Sequence, residues 1–316
     1  MPLPSDEKLI ALGEDLLTQF DTLFGLHPGF RPVHAKGILL TGTFTPAPEG
    51  LSLTRAPHTS RASTPVIVRF SNSTGIPLIP DNDPNAIPHG MAIRFTLAEH
   101  VHTDIISHST DGFPVRTGQE FLELLRAIAA ANNPSNPAPA LIQAFMGTHP
   151  AALAFAQPRP APSSFATEAY FAISAFHFTN KDGVSTYGRY RIIPDAGVVH
   201  LDEATTKSED ANYLFEDIEK RIAAGPVSFH IKVQVANATD LLDDATIHWP
   251  EDRALVDFGK LTLTAKFADD AHEQKTIIFD PIPRVDGIEP SADPLFELRA
   301  AVYLLSGRRR RKAPDQ

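Results

Sequence analysis

The sequence predicts an α+β fold: a single-domain antiparallel β-barrel with N-terminal, crossover and C-terminal helices. Three observations carry this. Near the start of the chain apolar residues recur every three or four positions, whereas from Gly37 the pattern alternates with a period of two through segments rich in β-branched residues. The period-two segments are numerous enough to close a barrel. No internal repeat and no sharp change of composition divides the 316 residues into smaller units.

Taken in order, residues 5–24 form an amphipathic helix, with Leu9, Leu12, Leu16, Phe20 and Leu23 on one face. Ser5 is its expected N-cap, and Asp6 and Glu7 suit the first turn. Residues 25–32 end the helix. Strands follow at 37–45, 65–71 and 91–97. Thr117 and Glu120 form a capping box ahead of a helix carrying Phe121, Leu122, Leu124 and Leu125. Residues 133–164 are rich in Pro and Ala and read as a long surface crossing with a short helix. Pro158, Pro160 and Pro162 forbid regular structure at its end. Residues 169–180 and 185–194 flank Lys181-Asp182-Gly183, a hairpin signal. A helix at 210–224 is stopped by Gly225. Strands are expected at 226–236, 259–268 and 276–280, and Pro294 stands in the first turn of a last helix through Leu305. The basic tail Gly307 to Lys312 reads, with Arg310 excepted, as a solvated, frayed end. The domain divides into an N-terminal helix and arm (1–36), a barrel with inserted helices (37–285) and a terminal helix with its basic tail (286–316).

Composition narrows the function. With 38 acidic and 28 basic residues the net charge is −10, which argues against nucleic acid as a partner. The chain has no cysteine, so thiolate-ligated haem, iron–sulfur clusters and cysteine nucleophiles are excluded together. No basic segment followed by an apolar one opens the chain, and no run of about 18 apolar residues could span a membrane. A cytoplasmic protein without a membrane partner is expected.

Two segments at opposite ends of the chain carry the chemical interest: Arg31-Pro32-Val33-His34-Ala35-Lys36-Gly37, and Arg299 with Tyr303. An isolated histidine near a strand start is usually structural, but His34 comes with company. In Val68-Arg69-Phe70-Ser71-Asn72, Arg69 and Ser71 share one face of a strand. Ser71 could fix the tautomer of an imidazole, and Arg69 could meet a carboxylate bidentately. Arg299 and Tyr303, four apart on a helix, share a face; the bland account is an ordinary cation–aromatic pair. The sharper account is an iron ligand, because a phenol becomes a good anionic ligand when a guanidinium and a metal ion both favour the phenolate. Tyrosine is the axial ligand in haem of the catalase type. Arg310, seven residues after Tyr303, falls about two turns on if the helix continues, where it could pair with a haem propionate.

In this order, His34-Ala35-Lys36-Gly37, Val68-Arg69-Phe70-Ser71 and Arg299-x-x-x-Tyr303 resemble the haem core of the catalase superfamily. Phe279-Asp280-Pro281, Arg284-Val285-Asp286-Gly287-Ile288-Glu289, Asp293-Pro294-Leu295, Ala151-Ala152-Leu153-Ala154-Phe155, Pro162-Ser163-Ser164-Phe165 and Tyr187-Gly188-Arg189-Tyr190-Arg191 resemble the short catalase-related peroxidases. The resemblance covers nearly the whole chain. It implies a catalase-like barrel holding haem b and its iron. His34 would be the distal acid/base, with Ser71 as its hydrogen-bond partner. Arg31, Arg69 and Arg310 would bind propionates, and Tyr303 would be the proximal ligand with Arg299 on its oxygen.

The implied activity is that of a peroxidase, reducing hydrogen peroxide or organic peroxides with a small organic electron donor through a ferryl intermediate. Full-length catalases carry a distal Asn within Asn-Asn-Thr-Pro. Here the matching stretch is Ser107-His108-Ser109-Thr110-Asp111-Gly112-Phe113-Pro114, which puts His108 or, with a gap, Asp111 in that place. Alternatives are a true catalase, a fatty-acid hydroperoxide isomerase and a non-catalytic haem-binding barrel. Whether the chain forms a homodimer is left open.

Overall fold

In the computed structural model, which describes residues 2–314, an antiparallel sheet closes on itself. Strands β1 (Gly37–Pro46), β2 (Thr64–Ser71), β3 (Gly90–Ala98) and β4 (Val101–His108) pair in succession. The short β5 (Tyr170–Phe171) links β4 to β7 (Ser185–Pro194), and β8 (Val227–Val235) and β9 (Leu255–Lys266) return the ring to β1. Beside the first part of β7 lies β6 (Phe176–Thr179), with β10 (Ile288–Pro290) outside it.

Strand alternation decides what each face does. From β2, Val66, Val68 and Phe70 enter the barrel interior, where they meet Ile93 and Phe95 of β3, Phe229 of β8 and Phe258 of β9. Phe70 stacks on Phe165 at 5.2 Å. Each such side chain taken out of water contributes about 1.5–3 kcal/mol. The intervening residues of β2, Ile67, Arg69 and Ser71, look outward, and this outer face is where the site is built.

Helices cover it. α1 (Glu7–Phe24) directs Leu16 and Phe20 against Leu122 and Leu125 of α3 (Gly118–Ala131) and Leu298 of α9 (Leu295–Lys312). The expected Thr117–Glu120 capping box is present, with Thr117 Oγ1 accepting from Glu120 N at 3.2 Å. The remaining helices are α2 (Gly50–Leu53), α4 (Pro139–Thr148), α5 (Pro150–Phe155), α6 (Glu203–Ser208), α7 (Tyr213–Ala224) and α8 (Asp270–Thr276). No helix among the described residues is long and apolar enough to cross a membrane.

Several expectations are corrected. Asp6, not Ser5, caps α1, its carboxylate accepting from Lys8 N at 2.9 Å. α7 begins at Tyr213 rather than 210, and β9 begins at Leu255 rather than 259. The 169–180 strand is broken into β5 and β6, and the 133–164 crossing holds two helices rather than one. β4 was not expected at all, because polar residues interrupt its alternation. Asp104 is buried there because Arg94 holds it bidentately at 2.8 and 2.9 Å. The strand expected at 276–280 is absent: α8 runs to Thr276, and Ile277 and Phe279 alternate because they pack beside Leu39 without pairing to a strand. The frayed tail is corrected in part. α9 continues to Lys312 and Arg309 bridges Asp21 of α1 at 2.6 Å, whereas Arg308, Arg311 and Lys312 are exposed, and Arg310, set apart from the rest of the run, is buried.

Candidate functional site

A cavity of about 340 Å³ lies between the outer face of β2–β4 and the helices α1 and α9. Eight site residues named from the sequence line it: Arg31, His34, Arg69, Ser71, His108, Arg299, Tyr303 and Arg310. Most of the remaining lining is apolar, including Phe20, Val33, Met91, Phe113, Leu298 and Val302.

On the sheet side His34 sits at the end of the arm that leads into β1, in the left-handed region with φ 55°. That conformation costs a non-glycine residue on the order of 1–2 kcal/mol. Backbone pairing holds it in place: His34 N donates to Ser73 O at 2.7 Å, and Ala35 N to Thr74 O at 2.9 Å. Ser71 Oγ lies 3.1 Å from His34 Nδ1. Burial, and next the Arg69 guanidinium, push the imidazole down to about 4, so it is neutral at pH 7 and able to accept a proton.

Gly90 of β3 makes this approach possible. A Cβ there would stand 2.6 Å from Ser71 Oγ and 3.0 Å from His34 Nδ1. Behind the pair, Asn72 donates to Asp81 at 2.8 Å, Lys36 Nζ bridges Asp81 at 2.7 Å, and the buried His89 meets Asn72 Oδ1 at 3.2 Å. These polar groups fix the turn that follows β2.

His108 closes β4 and enters the same cavity. Its Nδ1 accepts from Thr110 N at 3.2 Å. Burial, and next His34, hold it at about 3. A neutral imidazole whose Nδ1 accepts must carry its proton on Nε2, so His108 is a hydrogen-bond donor. Asp111, the other residue considered for this place, does not line the cavity. It pairs with Arg191 at 3.0 Å.

On the helix side Arg299 and Tyr303 share a face of α9, with Arg299 Nη2 3.5 Å from the phenol oxygen. At one end of the cavity three guanidiniums converge. Arg31 donates to Gln274 O at 3.0 Å and Ile277 O at 3.1 Å. Arg310 shares Ile277 O at 2.7 Å, and its Nε is buried without a partner. Arg69 donates to Gln274 Oε1 at 3.0 Å and His34 O at 2.8 Å. Among the described residues none of the three has a carboxylate partner.

Burial, followed by a neighbouring guanidinium, lowers all three: Arg69 to about 9, Arg310 to about 8, and Arg31 in the same direction. Guanidinium keeps its proton in proteins, so the cluster is positive charge awaiting an anion. The cavity therefore suits a largely apolar ligand with anionic groups at one end. The unpartnered Arg310 Nε, the phenol–guanidinium pair on one wall and the neutral imidazoles on the other are the donor set that a haem with two propionates needs. Sequence reasoning missed Gln274, Gly90 and the Asn72–Asp81–Lys36 network. Of these only a glycine amid period-two alternation leaves a local signal.

A family model described as catalase matches residues 29–314. A catalase-related peroxidase of Mycolicibacterium paratuberculosis is 32% identical over 286 residues, covering 89% of this chain and 89% of the relative. One from Synechococcus elongatus is 32% identical over 296 residues, covering 93% of this chain and 87% of the relative. Among solved structures, a bacterial catalase superposes with a TM-score of 0.77 at 24% identity, over 97% of this chain and 62% of that one. A fungal catalase gives 0.76 at 22% identity, over 89% of this chain and 59% of that one. At these identities the structural likeness is one of fold, and the chain spans only about three fifths of those catalases' length.

Proposed function

This chain belongs to the catalase family, and from that premise we propose a haem b peroxidase that reduces hydrogen peroxide or an organic peroxide with electrons from a small organic donor. The carrying observation is the cavity that sets His34–Ser71 opposite Arg299–Tyr303 and ends in three guanidiniums without a counter-ion. Bound haem would supply the redox centre that accepts the peroxide's oxidising equivalents.

The chain's own residues would do the rest. Tyr303 would bind the iron through its phenol oxygen, which Arg299 Nη2 approaches to 3.5 Å. Arg31, Arg69 and Arg310 would hold the propionates by charge-assisted hydrogen bonds. His34 would take the proton from the hydroperoxide oxygen and return it to the departing oxygen, general acid–base work for which its neutral form is the competent one. Ser71 would hold the imidazole in one orientation. His108 Nε2–H would hydrogen-bond a peroxide oxygen. Each peroxide takes up two electrons and two protons: ROOH and two donor molecules AH give ROH, water and two A radicals. His34 is unchanged over the cycle.

His108 favours this reading over dismutation. Dismutation requires a second peroxide held as a two-electron reductant, and the side chain at this place is an imidazole rather than a carboxamide. The decisive experiment measures oxygen release and oxidation of a phenolic donor on one haem-loaded preparation whose absorption spectrum is recorded first. Donor oxidation exceeding oxygen release is expected. Vigorous oxygen release with negligible donor oxidation would make the chain a catalase, and rearrangement of a lipid hydroperoxide without a donor would make it an isomerase.

A further inference from the structure

The stretch after α3 is unusual for this chain. Residues 127–158 contain no Asp, Glu, Lys or Arg, in a protein that is 21% charged. α4 within it has no buried residue, and Leu141 and Leu153 are exposed. The run ends at Arg159, the first formal charge in 33 residues.

Arg159 is tied to the cavity through one aromatic ring. Phe155, the last residue of α5, lines the cavity and faces the His108 ring edge-on with centroids 6.4 Å apart. Phe155 also carries the Arg159 guanidinium over its ring, 5.1 Å from the centroid. Arg159 Nη1 donates to Phe155 O at 2.6 Å, which fixes the guanidinium on that ring. Among the described residues no carboxylate pairs with Arg159. In a chain of net charge −10, a half-buried guanidinium left without an acid beside an apolar lip is a place for an anion from outside.

We propose that Phe155 and Arg159 form a docking subsite for an aromatic anionic electron donor, its ring against Phe155 and its carboxylate or sulfonate on Arg159. The inference rests on the peroxidase reading for its role, though not for its existence as a binding site. Phe155 then separates the two substrates: peroxide on the His108 side, donor ring on the outside. A donor seated there transfers an electron inward and loses its phenolic or amino proton to solvent. No residue of the subsite changes its protonation state.

Two readouts on the haem-loaded full chain test this. In steady-state turnover the parent is compared with Arg159→Gln, Arg159→Lys and Arg159→Glu, using the disulfonate dye ABTS, the neutral phenol guaiacol and the cationic tetramethyl-p-phenylenediamine. Arg159→Gln should raise KM for ABTS about tenfold and leave guaiacol within twofold. Arg159→Lys should restore most of the loss, and Arg159→Glu should shift preference toward the cation. Equal effects on all three donors, or none, would overturn the subsite. In the second readout, saturation-transfer NMR compares benzoate with benzamide. Arg159→Gln should weaken benzoate alone, and unchanged benzoate binding again refutes the proposal. If benzoate binding depends on Arg159 while no donor is oxidised by any variant, the subsite stands and the peroxidase reading falls.

Discussion

The two walls of the cavity are made by opposite means. The helix side is local: Arg299, Tyr303, Ser306 and Arg310 sit on one helix, spaced by three, four and seven residues, and each is placed by helical periodicity alone. The sheet side is assembled from the arm before β1 and three separate strands. Its parts are His34 in a left-handed conformation, Ser71 on β2, Gly90 on β3 and His108 at the end of β4. The helix wall can therefore be changed one residue at a time without moving its neighbours. The sheet wall is a close fit in which an added methyl group at Gly90 presses on the His34 ring.

The largest expected effect lies on the helix wall. Tyr303→Phe should abolish turnover by losing the haem or changing its ligand, with the fold kept, as read by haem content, absorption spectrum and circular dichroism. A parent-like spectrum in this variant would show that the helix wall does not supply the ligand. Next comes His34→Ala on the sheet wall. Haem should stay bound while the rate of peroxide cleavage falls by about 10²–10⁴. If stopped-flow mixing with peroxide finds the rate within a few-fold of the parent, His108 must do the proton work.

Gly90→Ala sharpens the contrast. The new Cβ would press on Ser71 Oγ and His34 Nδ1, so turnover should fall by on the order of 10² with haem content unchanged. A matched small-to-large change on α9 outside the contact with iron, Ser306→Thr, should cost less than threefold. Equal losses from the two would erase the distinction between the walls.

The smallest effect is one of stability against pH. Burial lowers His34 to about 4 and His58, His89 and His108 to about 3. Below the ordinary value of about 6.5 the unfolded chain binds these protons and the folded protein does not, so stability present above that pH is lost as pH falls toward 4 and 3. Near pH 5 urea unfolding should show a dependence of up to about four protons, or about 1.4 kcal/mol per pH unit for each histidine. Three of these four line or adjoin the sheet wall and none is on α9, so Tyr303→Phe should keep the same slope. A flat stability profile between pH 7 and 5 would mean that these imidazoles are not held neutral.

What could be read without the structure follows the same division. Amphipathic periodicity fixed α1, Pro294 marked the start of α9, a capping box fixed the start of α3, and the i, i+4 spacing of Arg299 and Tyr303 placed both on one helical face, because helix geometry is set by near neighbours. The alternation of Arg69 and Ser71 put both on one face of β2 for the same reason. Alternation by itself could not show that His34 reaches Ser71, which only the family resemblance implied, or that Gly90 must lack a side chain to let it. Those facts depend on the register of β2 against β3 and on the turn that Asn72, Asp81 and Lys36 hold.

β4 was hidden because the burial of Asp104 depends on Arg94, ten residues earlier and directly across the strand pair. The end of α9 was hidden because Asp21, which holds Arg309, lies 288 residues away. Local periodicity determined most of the elements, β4 excepted, and which faces they bury. Only closure of the barrel, which brings strands from distant parts of the chain into one register, decided which of the 13 histidines stand in the cavity and which guanidiniums converge at its end.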